Sequence, residues 1–427
     1  MKYRAVKGMN DILPEEARKF QNIERVFRET AECFGFRELR TPLVEELGLF
    51  HKSTGETSEV VQKQMFLLNR ERETLALRPE GTPSAARVYI GTKMHAREPV
   101  TAWYYVGPMF RAEQPQRGRY RQFHQAGCEL YGDPGPLCDA QMIDMLYRMV
   151  TRLGIADAQV LVNTLGSGDA RAAYRRALRE YFEKRKDQLS EHALERLSDN
   201  PLRILDSKDP RDQQAAKDAP VLLDHLSDED RDHFEGLQAG LGRLKTPFRI
   251  DPRLVRGLDY YCRTCFEIVS TAGELGSQSA LLGGGRYDGM LESLGGQNTP
   301  AVGFAMGIER MLLAMSDEIP AEPPLCFIAP LGREAQLLGL ELAAILREAM
   351  VHTEIDCRGN SLKSMLRRAN NQNARLAVVI GESEVERGQV QLKDLRAHEE
   401  SIVETADLLA QVQAVFSSQE KVSEEPS

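Results

Sequence analysis

From Trp103 to Tyr131 the chain reads as two strands joined by an arginine-rich loop, and this unit restricts the fold more than any other stretch. Trp103 to Phe110 and Gln122 to Tyr131 mix aromatic and polar residues, as strands beside a site do. Pro115 and Gly118 punctuate the loop between them. Arg111, Arg117, Arg119 and Arg121 crowd into that short segment. Guanidinium groups so close repel one another unless an anion meets them. Their planar forks match the oxygens of a polyphosphate or a nucleic-acid backbone.

Length and charge bound what surrounds this unit. A chain of 427 residues has room for two or three domains. A net charge of −9 argues against a uniformly basic nucleic-acid binder but leaves room for a local basic face. No apolar run is long enough to span a membrane, and Met1 to Pro14 lacks a signal-peptide core. The seven cysteines are scattered, which reads as reduced, cytoplasmic usage. Cys262 and Cys265 form a Cys-x-x-Cys, but no second pair has zinc-finger spacing, so two strand thiols and no metal site are expected.

Pro14 to Phe34 reads as an amphipathic helix with Phe20, Ile23, Phe27 and Phe34 on one face, stopped by Gly35. A strand from Phe36 to Thr41 runs into Pro42. Residues 64–131 read as several strands, hence an antiparallel sheet. Residues 136–153 read as a helix and Gln159 to Thr164 as a strand. The stretch 166–248 is rich in charge and poor in β-branched residues, and reads as a helical insertion broken near Pro201, Pro210 and Pro220. Strand signals return at Tyr260 to Val269. Gly283, Gly284 and Gly285 lack the spacing of a phosphate loop and instead suit a close approach of backbone to a ligand or a neighbouring strand. Gly307 to Met315 reads as a helix carrying Arg310. Ile319 to Pro324 is a stiff linker. Beyond it, strands at Leu325 to Ala329, Thr353 to Asp356 and Leu376 to Ile380 alternate with helices at Arg333 to Met350 and Ser361 to Asn371, which makes a small α/β domain. The expected division is therefore 1–320, containing the insertion 166–248, then 325–416, then a disordered acidic tail over 417–427.

The block Phe110-Arg111-Ala112-Glu113 through Gln125 resembles motif 2 of the class II aminoacyl-tRNA synthetases, and in detail that of the histidyl-tRNA synthetases. Lys7-Gly8-Met9-Asn10-Asp11 and Arg78-Pro79-Glu80-Gly81-Thr82 precede it. Arg256-Gly257-Leu258-Asp259-Tyr260-Tyr261 and Gly283 to Gly289 follow it. Gly303-Phe304-Ala305-Met306-Gly307-Ile308-Glu309-Arg310 is similar to motif 3, and the first helix and strand to motif 1. The matches run in order along nearly the whole chain. The resemblance implies an α+β class II core, an antiparallel sheet flanked by helices, with a helical insertion and a C-terminal α/β anticodon-binding domain. It also implies a homodimer that uses ATP and magnesium ions to make histidyl-adenylate and passes L-histidine to tRNA(His), with release of AMP and pyrophosphate.

Forming an acyl-adenylate requires two anions to be held together while charge builds on a phosphoryl group, a task suited to arginine. By resemblance Arg111 and Arg256 are the catalytic pair, with Arg256 on the α-phosphate. ATP would be held by Arg111, Glu113, Arg119, Phe123 and Arg310, with Phe123 and Arg310 on opposite faces of the adenine. Arg121 would meet pyrophosphate or the tRNA end. The resemblance assigns histidine to Glu80, Gly81, Thr82, Arg111, Gln125, Glu129, Arg256, Tyr260 and Tyr261. Of these, Glu80, Thr82 and Gln125 would hold the α-amino group, and Glu129 and Tyr261 the two ring nitrogens. A neutral imidazole has one donor and one acceptor, so a selective pocket needs a partner for each. Tyr287 would line the pocket beside Tyr260. Lys363, Arg367 and Arg368 fall at helical spacing and would track tRNA phosphates.

Two departures stand out. Gln114 occupies a position that the family usually fills with arginine, in a loop that faces the tRNA acceptor end. Gly276-Ser277-Gln278-Ser279 replaces the usual Gly-Ala-Gln-Gly. Two other readings share the resemblance: a non-catalytic, histidine-sensing regulatory subunit of an ATP phosphoribosyltransferase, and a tRNA-binding module without catalysis. Both are disfavoured by the presence of Arg111, Glu113, Arg256 and Arg310 together.

Overall fold

The first helix, Pro14–Cys33, starts on a proline and buries Phe20, Ile23, Val26 and Phe27 along one face. In this computed structural model, which describes residues 3–54, 64–70, 73–205, 207, 209–255, 260–271, 280–315 and 324–420, that helix covers one side of an eight-stranded sheet. The chain divides into two compact units, Met1–Pro320 and Ala321–Ser427. Most of the expected linker, the segments 256–259 and 276–279, and residues 421–427 lie outside the described residues.

The strands of the first unit are β1 (Arg37–Glu38), β2 (Val44–Glu46), β3 (Leu67–Arg70), β4 (Glu73–Leu77), β5 (Thr101–Phe110), β6 (Gln122–Tyr131), β7 (Gln159–Thr164), β8 (Phe248–Ile250), β9 (Cys262–Val269), β10 (Ala280–Arg286) and β11 (Ala301–Gly307). The large sheet runs β1-β5-β6-β11-β10-β9-β7-β8, and β2-β4-β3 form a small one. The six inner strands pair antiparallel, as expected. The edge strands β1 and β8 pair parallel, so the sheet is mixed. The strand expected over Phe36 to Thr41 shortens to two residues, because the chain leaves the sheet edge before Pro42, which has no N–H to donate.

Period-two alternation sends consecutive side chains into two cores. Tyr104, Val160, Val162 and Phe266 join the helices Pro14–Cys33 and Pro136–Arg152. Trp103, Leu161 and Cys265 face the other way, where the helices Gly168–Glu183 and Glu191–Asp199 add Tyr174, Leu178, Phe182 and Leu197. The last helix of the expected insertion, Asp228–Leu244, packs Phe234, Leu237 and Leu241 into the first core and so belongs to the body of the unit. The stretch 64–131, expected to hold strands, also contains the helix Thr82–Gly91. Thr82 to Ala86 are buried all round, so no amphipathic period marks it; only Pro83 in its first turn does.

The second unit holds β12 (Cys326–Pro330), β13 (Thr353–Ile355), β14 (Leu376–Ile380), β15 (Gln389–Asp394) and β16 (Glu399–Glu404), in the order β13-β12-β14-β15-β16. β12, β13 and β14 are parallel, and β15 and β16 continue as an antiparallel hairpin. A final helix, Leu408–Glu420, buries Leu408 and Val412 and carries Ser417 to Glu420, which composition had given to the tail. Once a helix is nucleated by packing, extending it by another turn costs little even for polar residues.

Candidate active site

An open cavity of about 380 Å³ lies at the end of the inner strands. Ten residues singled out from the sequence line it: Glu80, Thr82, Arg111, Glu113, Arg119, Phe123, Gln125, Tyr260, Tyr261 and Arg310. β6 explains much of this convergence. Its alternation puts Phe123, Gln125, Gly127, Glu129 and Tyr131 on one face and His124, Ala126 and Cys128 on the other. Phe123 and Gln125 reach the cavity, and Glu129 is fully buried beneath it.

The cavity has a cationic side. Arg111 donates through Nε to the Pro79 carbonyl at 3.0 Å, and its guanidinium lies 5.3 Å from the centre of the Phe123 ring. Arg111 and Arg119 flank Glu113 at 4.0 and 3.6 Å, too long for closed hydrogen bonds. Arg310 donates to the Ala280 carbonyl at 2.8 Å. Burial, followed by the charges of Arg119 and Arg111, pulls the Arg310 pKa below its ordinary value. Three guanidinium groups thus converge on one space. Phe123 and Arg310 both line the cavity, and the Phe123 ring also meets Arg111. Arg121 does not join the group: its Nε donates to the Glu113 carbonyl at 3.1 Å, which ties the loop to itself.

The floor is acidic and aromatic. Glu129 Oε1 accepts from Thr82 Oγ1 at 2.6 Å and from Tyr105 hydroxyl at 3.0 Å, while Oε2 accepts from the Tyr287 hydroxyl. Burial raises the Glu129 pKa to about 8; the three hydroxyl donors pull the other way, and Glu80 adds to the rise. The Tyr260 hydroxyl donates to Glu80 at 3.2 Å, and the Tyr260 and Tyr261 rings pack with centroids 4.5 Å apart. Among the described residues Gln125 Oε1 is buried without a hydrogen-bond partner, a cost that a donor on a ligand would remove.

Glycines make room for this floor. A Cβ on Gly81 would overlap the Tyr105 ring, and one on Gly127 would sit 2.5 Å from it. A Cβ on Gly303 would overlap the Glu129 carboxylate. In the Gly283-Gly284-Gly285 cluster, Gly284 and Gly285 admit Phe266 and Phe304 from flanking strands and Tyr261 from just before β9, and Gly283 lines the cavity. Arg286 closes the sheet behind them. It is fully buried, with Nη2 at 2.6 Å and Nε at 3.2 Å from the Asp139 carboxylate, a structural clamp.

Arg256 lies outside the described residues. Gly81 stands behind the cavity wall and contributes through the space it leaves. The sequence reading missed Glu267, Arg203, Gln64 and Tyr120, which also line the cavity. Glu267 was within reach, since it shares the β9 face of Tyr261 and Cys265. Arg203 comes from a 3₁₀ turn of the insertion and carries no local signal. In the second unit, Lys363 and Arg367 are exposed on the helix Leu362–Asn371 beside Asn370 and Asn371. Arg368 departs from that stripe: it bonds Glu354 at 3.0 Å, approaches Asp356 at 3.5 Å and lies over Phe327. A helical step of 100° separates neighbours, so Arg368 turns inward where Arg367 turns out.

A family model described as histidyl-tRNA synthetase matches residues 8–311, and one described as an anticodon binding domain matches residues 325–415. A histidine–tRNA ligase of Sorangium cellulosum is 53% identical over 398 residues, 93% of each chain. Another from Anaeromyxobacter sp. strain K is 43% identical over 96% of this chain and 100% of its own. The apo histidyl-tRNA synthetase of S. aureus has a TM-score of 0.80 at 30% identity, covering 96% of this chain and 99% of that one. An ATP phosphoribosyltransferase regulatory subunit/histidyl-tRNA synthetase from Bacillus halodurans C matches at TM-score 0.62 and 23% identity over 89% of this chain and 98% of that one, a likeness of fold alone.

Proposed function

The chain belongs to the histidyl-tRNA synthetase family, an aminoacyl-tRNA synthetase joining histidine to tRNA at the expense of ATP, and from that premise we propose how its residues divide the work. The convergence of Arg111, Arg119 and Arg310 on a cavity floored by Glu129 carries the reading. The arginines receive the triphosphate, and Arg111 also meets the histidine carboxylate. Glu113 faces the adenine amino group, and Phe123 stacks on the ring. Arg256 supplies a further guanidinium at the α-phosphate by family resemblance.

On the histidine side, Gln125 Oε1 and Glu80 accept from the α-ammonium group, with Thr82 alongside. Glu129 and Tyr261 partner the two imidazole nitrogens, and Tyr260 walls the pocket. With both substrates seated, a carboxylate oxygen attacks the α-phosphorus and pyrophosphate leaves with the electron pair. A terminal ribose hydroxyl of tRNA then attacks the acyl carbon and AMP leaves. Guanidinium groups fixed before reaction stabilise the charge that builds on the phosphoryl oxygens.

A magnesium ion bound with the triphosphate would neutralise phosphate charge; such an ion keeps several waters and would need one or two carboxylates, of which Glu267 in the cavity wall is available while Glu113 serves the adenine. The described residues contain no cluster of three or more acidic, His or Cys ligands that would cage a metal by themselves. The second unit is read as the anticodon-binding domain for tRNA(His), with Lys363 and Arg367 as its phosphate contacts; Arg368 supports their helix through Glu354. A homodimer is favoured by the exposed Leu43, Val44, Leu67 and Leu68 around the small sheet. Cytoplasmic residence is favoured by seven unbridged cysteines; among the described residues no helix is long and apolar enough to cross a membrane.

Histidine-dependent exchange of pyrophosphate into ATP, run without tRNA, tests the assignment. Exchange is expected with histidine alone among the amino acids. Its absence from folded protein would favour the regulatory-subunit reading.

A further inference from the structure

His124 and Glu309 have no role in the chemistry above, yet each stands next in sequence to a proposed ATP contact, Phe123 and Arg310. The His124 main-chain N–H donates to Glu309 Oε1 at 2.9 Å and Oε2 at 3.0 Å, and His124 Nδ1 lies 3.0 Å from Oε1. Both side chains are largely buried, at 21% and 13% exposure.

The sheet explains why a side chain is needed there. β11 pairs with β6 as far as Gly307 opposite Gln125, and at Ile308 the chain turns into the helix Ile308–Ala314. The next ladder position, opposite His124, has no strand. The Glu309 carboxylate supplies the missing acceptor from the first turn of that helix. His124 points away from the cavity, by the alternation of β6, and its ring packs edge-on against Phe20 at 5.3 Å. Three elements therefore meet at this pair: β6, the Arg310 helix and, through Phe20 on the His124 ring, the helix Pro14–Cys33.

We propose that the Glu309–His124 pair is a positioning pair that fixes the Arg310 helix against β6 and so sets the gap between Arg310 and Phe123 in which the nucleotide is held. Arg310 is anchored at its far end by the Ala280 carbonyl, and the pair anchors its base. Without Glu309, the His124 N–H is left in the wall with no acceptor, and the first turn of the helix is free to shift. The histidine pocket lies farther along β6, at Gln125 and Glu129, with its own hydroxyl network. The defect is thus directed at ATP. The proposal rests on the ATP reading given above.

Pyrophosphate exchange by the full chain, with ATP and histidine varied separately, tests it in Glu309→Ala, His124→Ala and His124→Asn. In Glu309→Ala, kcat/KM for ATP is expected to fall about tenfold or more, since small misplacement of a positioned group carries penalties of that order. KM for histidine is expected to change by less than about twofold, because the lost contact touches no group that binds it. An asparagine amide donates from nearly the place of Nδ1, so His124→Asn should recover most of what His124→Ala loses. Equal losses for ATP and histidine, unchanged ATP kinetics, or asparagine no better than alanine would each overturn the pair. If Glu309→Ala does not fold, the two His124 variants decide, since they keep the main-chain bond. Lack of exchange in the unsubstituted protein would instead remove the ATP reading and the proposal with it.

Discussion

Replacing Glu129 by Gln separates stability from recognition. The carboxyl is fully buried and its pKa is raised to about 8 from an ordinary 4.5. The folded protein therefore holds a proton that the unfolded chain releases. That contribution to stability is fully present below 4.5, declines as pH rises, and is fully lost above about 8. Across the interval the loss is at most about 1.4 kcal/mol per pH unit, so between pH 5.5 and 7.5 it is on the order of 2–3 kcal/mol. An amide does not titrate, and Glu129→Gln lacks this slope. Relative to the parent, the variant should become more stable as pH rises.

Recognition should move in the opposite sense. The amide keeps one acceptor oxygen, and Thr82 and Tyr105 already converge on one Glu129 oxygen. The imidazole nitrogen then faces an amide in place of a carboxyl, and the mismatched hydrogen bond costs roughly 1–3 kcal/mol, or about five- to a hundredfold in kcat/KM for histidine. Thermal melts at pH 5.5 and 7.5, together with pyrophosphate exchange at varied histidine, measure both quantities. An offset between parent and variant that is the same at the two pH values would refute the buried-carboxyl argument. Unchanged kcat/KM for histidine would refute the assignment of Glu129 to the ring.

Arg256→Ala should slow adenylate formation about a hundredfold or more, as expected for one lost oxyanion-type donor, with a smaller effect on histidine binding; single-turnover adenylate assays would expose an unchanged rate. Gly303→Ala should drive a methyl group into the Glu129 carboxylate and destabilise the protein by about 1–3 kcal/mol, with histidine activation lost before ATP binding; a denaturant midpoint equal to the parent's would contradict the packing. Cutting the chain at Pro320 should leave a unit that activates histidine but charges tRNA poorly and with a shallower salt dependence, because the exposed Lys363 and Arg367 go with the second unit; equal charging by a dimeric fragment would remove the anticodon-binding assignment.

The site was legible where it follows strand alternation. Phe123, Gln125 and Glu129 share a face by their spacing, as do Tyr261 and Glu267, yet the sequence reading named four of these five by resemblance and missed Glu267. Burial on all sides of its first half, Thr82 to Ala86, hid the helix Thr82–Gly91, because a segment without a solvent face has no amphipathic period. Arg203 was invisible for a different reason: a 3₁₀ turn of the insertion brings it to the cavity by tertiary packing alone. Arg368 shows the limit of charge patterns. Helical spacing grouped it with Arg367, but acidic groups on the neighbouring strand, Glu354 and Asp356, claim it. A sequence pattern records what one element presents, not what faces it.

The glycines carry this further. Gly127 and Gly303 occupy adjoining inner strands, where glycine weakens a sheet by giving it no side chain to pack. Each omission admits a polar group from a neighbour: Tyr105 beside Gly127, Glu129 beside Gly303. Gly81 does the same for Tyr105 from the start of a helix. The floor that reads the substrate is therefore set by missing side chains as much as by present ones. Behind the sheet, Arg286 and Asp139 form a buried, doubly bonded clamp between β10 and the helix Pro136–Arg152. A carboxylate as deeply buried as Glu129 holds its place only if its surroundings do not relax around it, and that clamp limits how far β10 and its neighbour β11 can move.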